Sequence, residues 1–177
     1  MPLTEEEHRT VDSIASPDLR QLFLMRNERI EAELKAGMEA AKGKTGYTVV
    51  EVGKEIAADS LLKVITRPYR GKLVDMWNTW CGPCMRAMKS LKPLKEELKE
   101  VVYLYIADES SPEGKWKLRI PDIHGIHCRI SNEQSTALAK LYEYPGIPTY
   151  FVVNREGDVS YKVTGFPGVE MLRNELT

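Results

Sequence analysis

The stretch Trp80-Cys81-Gly82-Pro83-Cys84 follows a strand-like run, Lys72-Leu73-Val74-Asp75-Met76-Trp77, and precedes a helical one. No other feature constrains the fold of this chain as strongly. Two cysteines separated by two residues can close a disulfide without moving the backbone. At a helix start, a thiolate is also favoured by the free amides and the macrodipole. A C-x-x-C in that context points to reversible dithiol–disulfide chemistry. The other uses of such a pair are a static staple or half of a zinc site. Zinc needs a second C-x-x-C or paired histidines at ligand spacing, and neither is evident.

Hydrophobic periodicity predicts the elements around the motif. Thr4 and Glu7 have capping-box spacing, and Ser16-Pro17 reads as an N-cap with proline at the first helical position. Leu19, Leu22, Phe23, Ile30, Leu34 and Met38 then recur at helical spacing, so one amphipathic helix is expected from Pro17 to Ala41, stopped by Gly43 and Gly46. Its apolar stripe needs a partner: the C-terminal domain, a second copy, or a domain outside this sequence. Tyr47 to Val52 alternates as a strand. Asp59-Ser60 is expected to cap a helix reaching Thr66, and Pro68 to Gly71 to turn the chain into the Lys72–Trp77 strand.

The helix bearing Cys84 is expected to reach Glu100 with a kink at Pro93. Val101 to Ile106 is continuously apolar, as in a buried parallel strand. Residues 108–130 read as irregular, with Ser111-Pro112 opening a short helix. A helix over 132–142, a hairpin of Thr149–Val153 and Val159–Val163 about the turn at Asn154–Gly157, and a last helix from Gly168 complete the pattern. The expected organisation is a helical extension over 1–46 and one domain over 47–177.

Composition excludes several classes. A formal net charge of -1 offers no global basic field for nucleic acid or acidic membrane, and no apolar run approaches the roughly 20 residues of a membrane span. Three cysteines are too few for a disulfide scaffold. The acidic start, Met1 to Glu7, lacks the apolar core of a signal peptide. The amphipathic helix so near the start leads to the expectation that the chain is cut from a longer precursor.

Two distant segments carry a family resemblance. Asp75 to Cys84 resembles the thioredoxin active-site segment, and Gly146-Ile147-Pro148-Thr149-Tyr150-Phe151 resembles its cis-proline loop. Gly157 and Gly165 fall where that fold turns. The resemblance covers about Tyr47 to Thr177 and implies an α/β thioredoxin fold, a central mixed sheet flanked by helices. The insertion after the Val101–Ile106 strand is similar to that of the TlpA and ResA thiol-disulfide oxidoreductases.

The position of Cys81, first in the motif at the exposed end of the helix, makes it the expected attacking thiol, with Cys84 as the more buried resolving thiol. Asp75 lies in a central strand, where burial would raise its pKa, and it matches the spacing of the thioredoxin aspartate that takes the proton from the resolving thiol. An edge-strand or solvated aspartate is the plainer reading. Trp77 and Trp80 are expected to support the loop, with Trp80 flanking the dithiol. Pro148 is expected to be cis and to face the cysteines, unless it is an ordinary turn proline. In that geometry the Ile147 backbone can pair with an extended substrate segment. Together Trp80, Gly82, Pro83, Ile147, Pro148 and Thr149 form the expected substrate surface. Gly82-Pro83 resembles the dipeptide of reducing thioredoxins, whose potential lies at about -270 mV.

No cofactor beyond the redox-active Cys81–Cys84 disulfide is expected, and no metal. His124, His127 and Cys128 suggest a metal cluster, but no fourth ligand is obvious, and surface histidines with a semi-buried thiol are expected. A resolving or regulatory role for Cys128 is a further alternative.

The resemblance implies reduction or rearrangement of disulfides in protein substrates of the bacterial envelope, with an upstream membrane dithiol carrier as electron donor. One alternative is a cytosolic-type thioredoxin recharged by a reductase, and a second is a non-catalytic module that kept the fold. A thiol peroxidase would need proline and threonine or serine where Val74 and Asn78 stand.

Overall fold

Strands buried on both faces need helices on both faces, and that requirement sets the architecture. The computed structural model describes residues 2–69 and 72–177. Its strands are β1 (Tyr47–Val49), β2 (Lys72–Met76), β3 (Val102–Asp108), β4 (Gly125–Ile130), β5 (Thr149–Val153) and β6 (Val159–Thr164). Among the described residues they form one mixed sheet in the order β1-β4-β3-β2-β5-β6. The first four run parallel to one another, and β5 is antiparallel to both β2 and β6. Every residue of β2 and β5 is buried, whereas the edge strand β6 alternates between half-buried and exposed.

The helices are α1 (Glu5–Asp12), α2 (Pro17–Ala41), α3 (Ala58–Thr66), α4 (Gly82–Ser90), α5 (Lys92–Glu97), α6 (Glu113–Arg119), α7 (Asn132–Leu141) and α8 (Val169–Leu176). On one sheet face Leu73, Tyr103, Tyr105 and Tyr150 pack with α4, α5, α6 and α8 through Met88, Leu94, Trp116 and Leu172. On the other, Val74, Leu104, Ile106 and Phe151 pack with α3 and α7 through Leu61, Leu62, Ile65 and Leu138. Each such fully buried side chain contributes roughly 1.5–3 kcal/mol. The period-two alternation of the strands assigns side chains to faces. Asp75 lies on the same face as Leu73 and Trp77, towards α4.

The capping box at Thr4 and Glu7 and the Ser16 cap of α2 form as the spacing predicts. So do α7, with its Ser131–Gln134 capping box, and the β5–β6 hairpin. Four expectations need correction. β1 stops at Val49, although the Val50 N–H still donates to the His127 carbonyl at 2.8 Å. The N-cap of α3 is Ala57 and makes no side-chain hydrogen bond, so Asp59 and Ser60 lie inside the helix. The expected kinked helix is two helices. Pro93 sits in the first turn of α5, and the break falls at Leu91, because proline offers no N–H to continue the ladder. The expected turn at 68–71 lies partly outside the described residues.

The fourth correction is the largest. Residues 108–130 hold the short helix expected after Ser111-Pro112, α6, but in place of an irregular remainder they also form a 3-10 turn at Ile120–Asp122 and β4, which pairs with both β3 and β1. Gly125 starts β4 at φ +141, where an added Cβ would stand 2.6 Å from the Tyr103 carbonyl oxygen. α6 also supplies a partner for the α2 stripe, with Leu34 against Gly114 and Leu118 against Gly37. Leu19, Leu22, Phe23, Met25 and Met38 remain exposed. No helix among the described residues is long and apolar enough to cross a membrane.

Candidate active site

The strand β2 ends by delivering Trp77, whose N–H donates to the Ile106 carbonyl at 2.9 Å, into the loop 78–81. That loop is held from the β3–α6 connection. Asn78 is buried, and its Oδ1 accepts from the Asp108 N–H at 3.1 Å and from the Ser111 hydroxyl at 2.8 Å. Ser111 Oγ in turn accepts the Thr79 N–H at 2.9 Å. The Trp80 indole donates to Ser110 Oγ at 3.0 Å, leaving the ring 62% exposed beside the dithiol. Arg129 ties the same connection to β4 through the Ser111 carbonyl at 3.1 Å. The insertion therefore braces the redox loop.

Cys81 is the N-cap of α4, and its sulfur accepts the Cys84 N–H at 3.2 Å. The two cysteines are joined in a disulfide with Cα atoms 5.3 Å apart. Cys84 is wholly buried, and Cys81, expected at an exposed end, shows only 3% of its surface. Gly82 and Pro83 beside it are exposed. Ile147 and Pro148 are joined by a cis peptide, and the Ile147 carbonyl oxygen lies 3.9 Å from Cys81 Sγ. The Pro148 carbonyl accepts the Gly165 N–H at 2.8 Å, while Thr149 donates its hydroxyl to the Gly146 carbonyl at 2.7 Å. These bonds fix the loop against β6. The structure thus gathers Trp80, Cys81, Gly82, Pro83, Ile147 and Pro148 at one end of the sheet, while the Thr149 side chain turns into the loop itself.

Asp75 lies deeper, 2% exposed, and neither carboxylate oxygen has a hydrogen-bond partner among the described residues. Its register partners are Tyr105 of β3 and Tyr150 of β5. Burial pushes its pKa well above the usual carboxylate range, opposed in part by the Lys95 ammonium. Lys95, on α5, donates to the Tyr105 hydroxyl at 2.8 Å and to the His124 carbonyl. Burial lowers it to about 8, against the pull of Asp75. Tyr105 is pushed well above its ordinary value, first by burial and then by the Asp75 charge. A buried, unpaired carboxyl on the face of the dithiol is equipped to hold or release one proton.

The His124, His127 and Cys128 group does not converge. His127 is fully buried rather than on the surface; its Nε2–H donates to the Ile123 carbonyl at 2.6 Å, and its ring stacks on Tyr105 at 5.0 Å. Burial lowers its pKa to about 4. Cys128 is fully buried rather than half-buried, packs on the opposite sheet face from the dithiol, and is pushed up to about 12 by burial. That placement removes it from a direct resolving role. Among the described residues no group of three or more His, Cys, Asp or Glu could hold a metal ion.

Lys95, Asn78, Ser110, Ser111 and the two tyrosines beside Asp75 escape sequence reasoning. Ser111 lies 33 positions from Asn78 and Ser110 lies 30 from Trp80, and nothing local marks either pair as partners. The tyrosines read only as members of apolar strands.

A strand–loop–helix dithiol opposite a cis-proline loop, on a mixed sheet, defines a thioredoxin-fold dithiol protein. A family model described as thioredoxin-like matches residues 72–159. The chain is 32% identical over 105 residues to thioredoxin of Staphylococcus epidermidis, covering 59% of this chain and 78% of that protein. It is 24% identical over 144 residues to the thiol-disulfide oxidoreductase ResA of Bacillus cereus, covering 80% of this chain and 79% of that protein. Its fold is similar to the thioredoxin domain of a thiol-disulfide oxidoreductase from Bacteroides vulgatus, with a TM-score of 0.51 at 16% identity over 61% of this chain and 80% of that one. The chain belongs to the thioredoxin superfamily and is similar to the ResA thiol-disulfide oxidoreductases, and its chemistry is thiol–disulfide exchange.

Proposed function

We propose that residues 47–177 reduce disulfides in protein substrates of the bacterial envelope, with Cys81 as nucleophile, Cys84 as resolving thiol and Asp75 as the proton acceptor. The observation that carries this reading is the buried, unpartnered Asp75 carboxyl on the strand that delivers the dithiol. In the reduced protein, the Cys81 thiolate at the N-terminus of α4 attacks one sulfur of the partner disulfide. A Cys81–partner bond forms, and the other partner sulfur leaves as a thiolate. Asp75 takes the Cys84 proton, and the Cys84 thiolate attacks Cys81. The mixed disulfide breaks, the second partner thiolate leaves, and the Cys81–Cys84 bond closes. Two electrons pass to the substrate, and an upstream dithiol donor returns the protein to its starting state. No further cofactor enters this scheme.

Trp80, Gly82, Pro83, Ile147 and Pro148 shape the surface on which an extended substrate segment lies, pairing with backbone beside Ile147, while the buried Thr149 holds the loop from behind rather than facing substrate. The similarity to ResA supports the envelope as the site of action. The 32% identity to a thioredoxin supports a second reading, a general thioredoxin recharged by a reductase.

An insulin-reduction assay driven by dithiothreitol tests the activity. The wild type is expected to accelerate precipitation and Cys81→Ser to match the uncatalysed rate. Equal rates for the two proteins would overturn the proposed reductase activity in both readings.

A further inference from the structure

A groove of about 450 Å³, lined by neither Trp80 nor Ile147, opens between α4, α5 and residues 119–124. That volume falls within the roughly 300–1,000 Å³ of small-molecule sites. Met85, Met88 and Ile123 give it an apolar wall, while Lys89, Lys92, Lys95 and Arg119 bring four cations to its lining. None of the four forms an ion pair among the described residues. The two carboxylates on the lining are Glu96 and Asp122, and Asp122 is already paired with Lys44 at 2.6 Å. The groove thus has an excess of positive charge in a chain whose formal net charge is -1.

Lys95 is the fixed point of this arrangement. Its ammonium is part-buried, bonded to the Tyr105 hydroxyl at 2.8 Å and to the His124 carbonyl, and lies 5.0 Å from the centroids of the Tyr103 and Tyr105 rings. An ammonium has three N–H donors, so one is left without a partner among the described residues. A pre-positioned donor with two exposed lysines beside it suits an oxyanion, because Lys95 itself loses little side-chain order when the anion arrives. The methionines offer an adaptable apolar surface that inorganic phosphate would leave unused.

We propose that this groove binds a small organic anion, its carboxylate or phosphate held by Lys95 and Lys92 and its apolar body laid on Met85, Met88 and Ile123. Titrating the full chain with phenylbutyrate, and with uncharged phenylbutyramide, tests the site by calorimetry and by methionine-methyl NMR. Saturable binding of phenylbutyrate is expected, with shifts at Met85 and Met88, and binding about tenfold weaker for the amide. The double variant Lys89→Gln with Lys92→Gln, both exposed in the native protein, should bind phenylbutyrate about tenfold less tightly at an unchanged unfolding midpoint. No saturable binding, equal binding of acid and amide, full affinity in the double variant, or shifts confined to residues outside the groove would each overturn the proposal. The titration reads binding alone, so its outcome is independent of the insulin assay.

Discussion

Replacing Asp75 by asparagine should make the protein more stable against alkaline pH and slower at the same time. The wild-type carboxyl is 2% exposed with no hydrogen-bond partner among the described residues, and burial raises its pKa well above the ordinary 3.8. Between 3.8 and that raised value the native state binds more protons than the unfolded state, so stability falls as pH rises. The slope is at most about 1.4 kcal/mol per pH unit and levels off above the native pKa. Asparagine does not titrate. The stability difference between variant and wild type should therefore grow in the variant's favour with that slope, whatever fixed cost the buried amide adds.

Kinetically, losing a positioned proton acceptor removes about a hundred- to ten-thousand-fold from the resolving step, or roughly 2.7–5.5 kcal/mol of barrier. Denaturant unfolding at a series of pH values reads the first effect. Stopped-flow tryptophan fluorescence during oxidation by a model disulfide reads the second. Parallel pH–stability curves, or an unchanged resolving rate, would refute the reasoning.

Three further outcomes follow from the packing. Asn78→Ala strips a buried acceptor from the Asp108 N–H and the Ser111 hydroxyl, and should cost about 1–3 kcal/mol in denaturant unfolding while altering Trp80 fluorescence; an unchanged midpoint would show that the brace contributes nothing. His127, held neutral by burial with its pKa lowered from 6.5 to about 4, supports stability that is full above pH 6.5 and is lost as pH falls through about 4. That shift is worth about 3 kcal/mol, and His127→Phe should flatten this acid limb of the pH–stability curve. Gly125→Ala should cost about 1–3 kcal/mol, since its Cβ would meet the Tyr103 carbonyl oxygen at 2.6 Å. Gly43→Ala, with open space around it, should cost less in the same measurement.

The dithiol, the cis-proline loop and most elements were legible because their signals are local. Cys81-Gly82-Pro83-Cys84 between a strand and a helix is one contiguous pattern, and Gly146-Ile147-Pro148-Thr149 is another. β4 was not legible, because its face alternates Ile126, Cys128 and Ile130 with His127 and Arg129. The polar pair is accommodated by partners distant in the fold. His127 stacks on Tyr105, and Arg129 reaches the Ser111 carbonyl. The break between α4 and α5 was half legible. Pro93 announced a disruption, but whether a proline kinks one helix or starts another depends on how Leu91 packs. Lys95 carried no signal among so many surface lysines, because its role arises from the rings and the carboxyl that α5 lays it against. The bracing of Trp80 by Ser110 was hidden for the same reason.

The central claim is that Cys81 attacks disulfides of envelope proteins, and trapping with Cys84→Ser tests it most directly. Without the resolving thiol the mixed disulfide should persist, so mass spectrometry of adducts from living cells should show partner peptides linked through Cys81 and drawn from envelope proteins. The absence of any Cys81 adduct would contradict the mechanism, and adducts drawn only from cytosolic enzymes would contradict the envelope role.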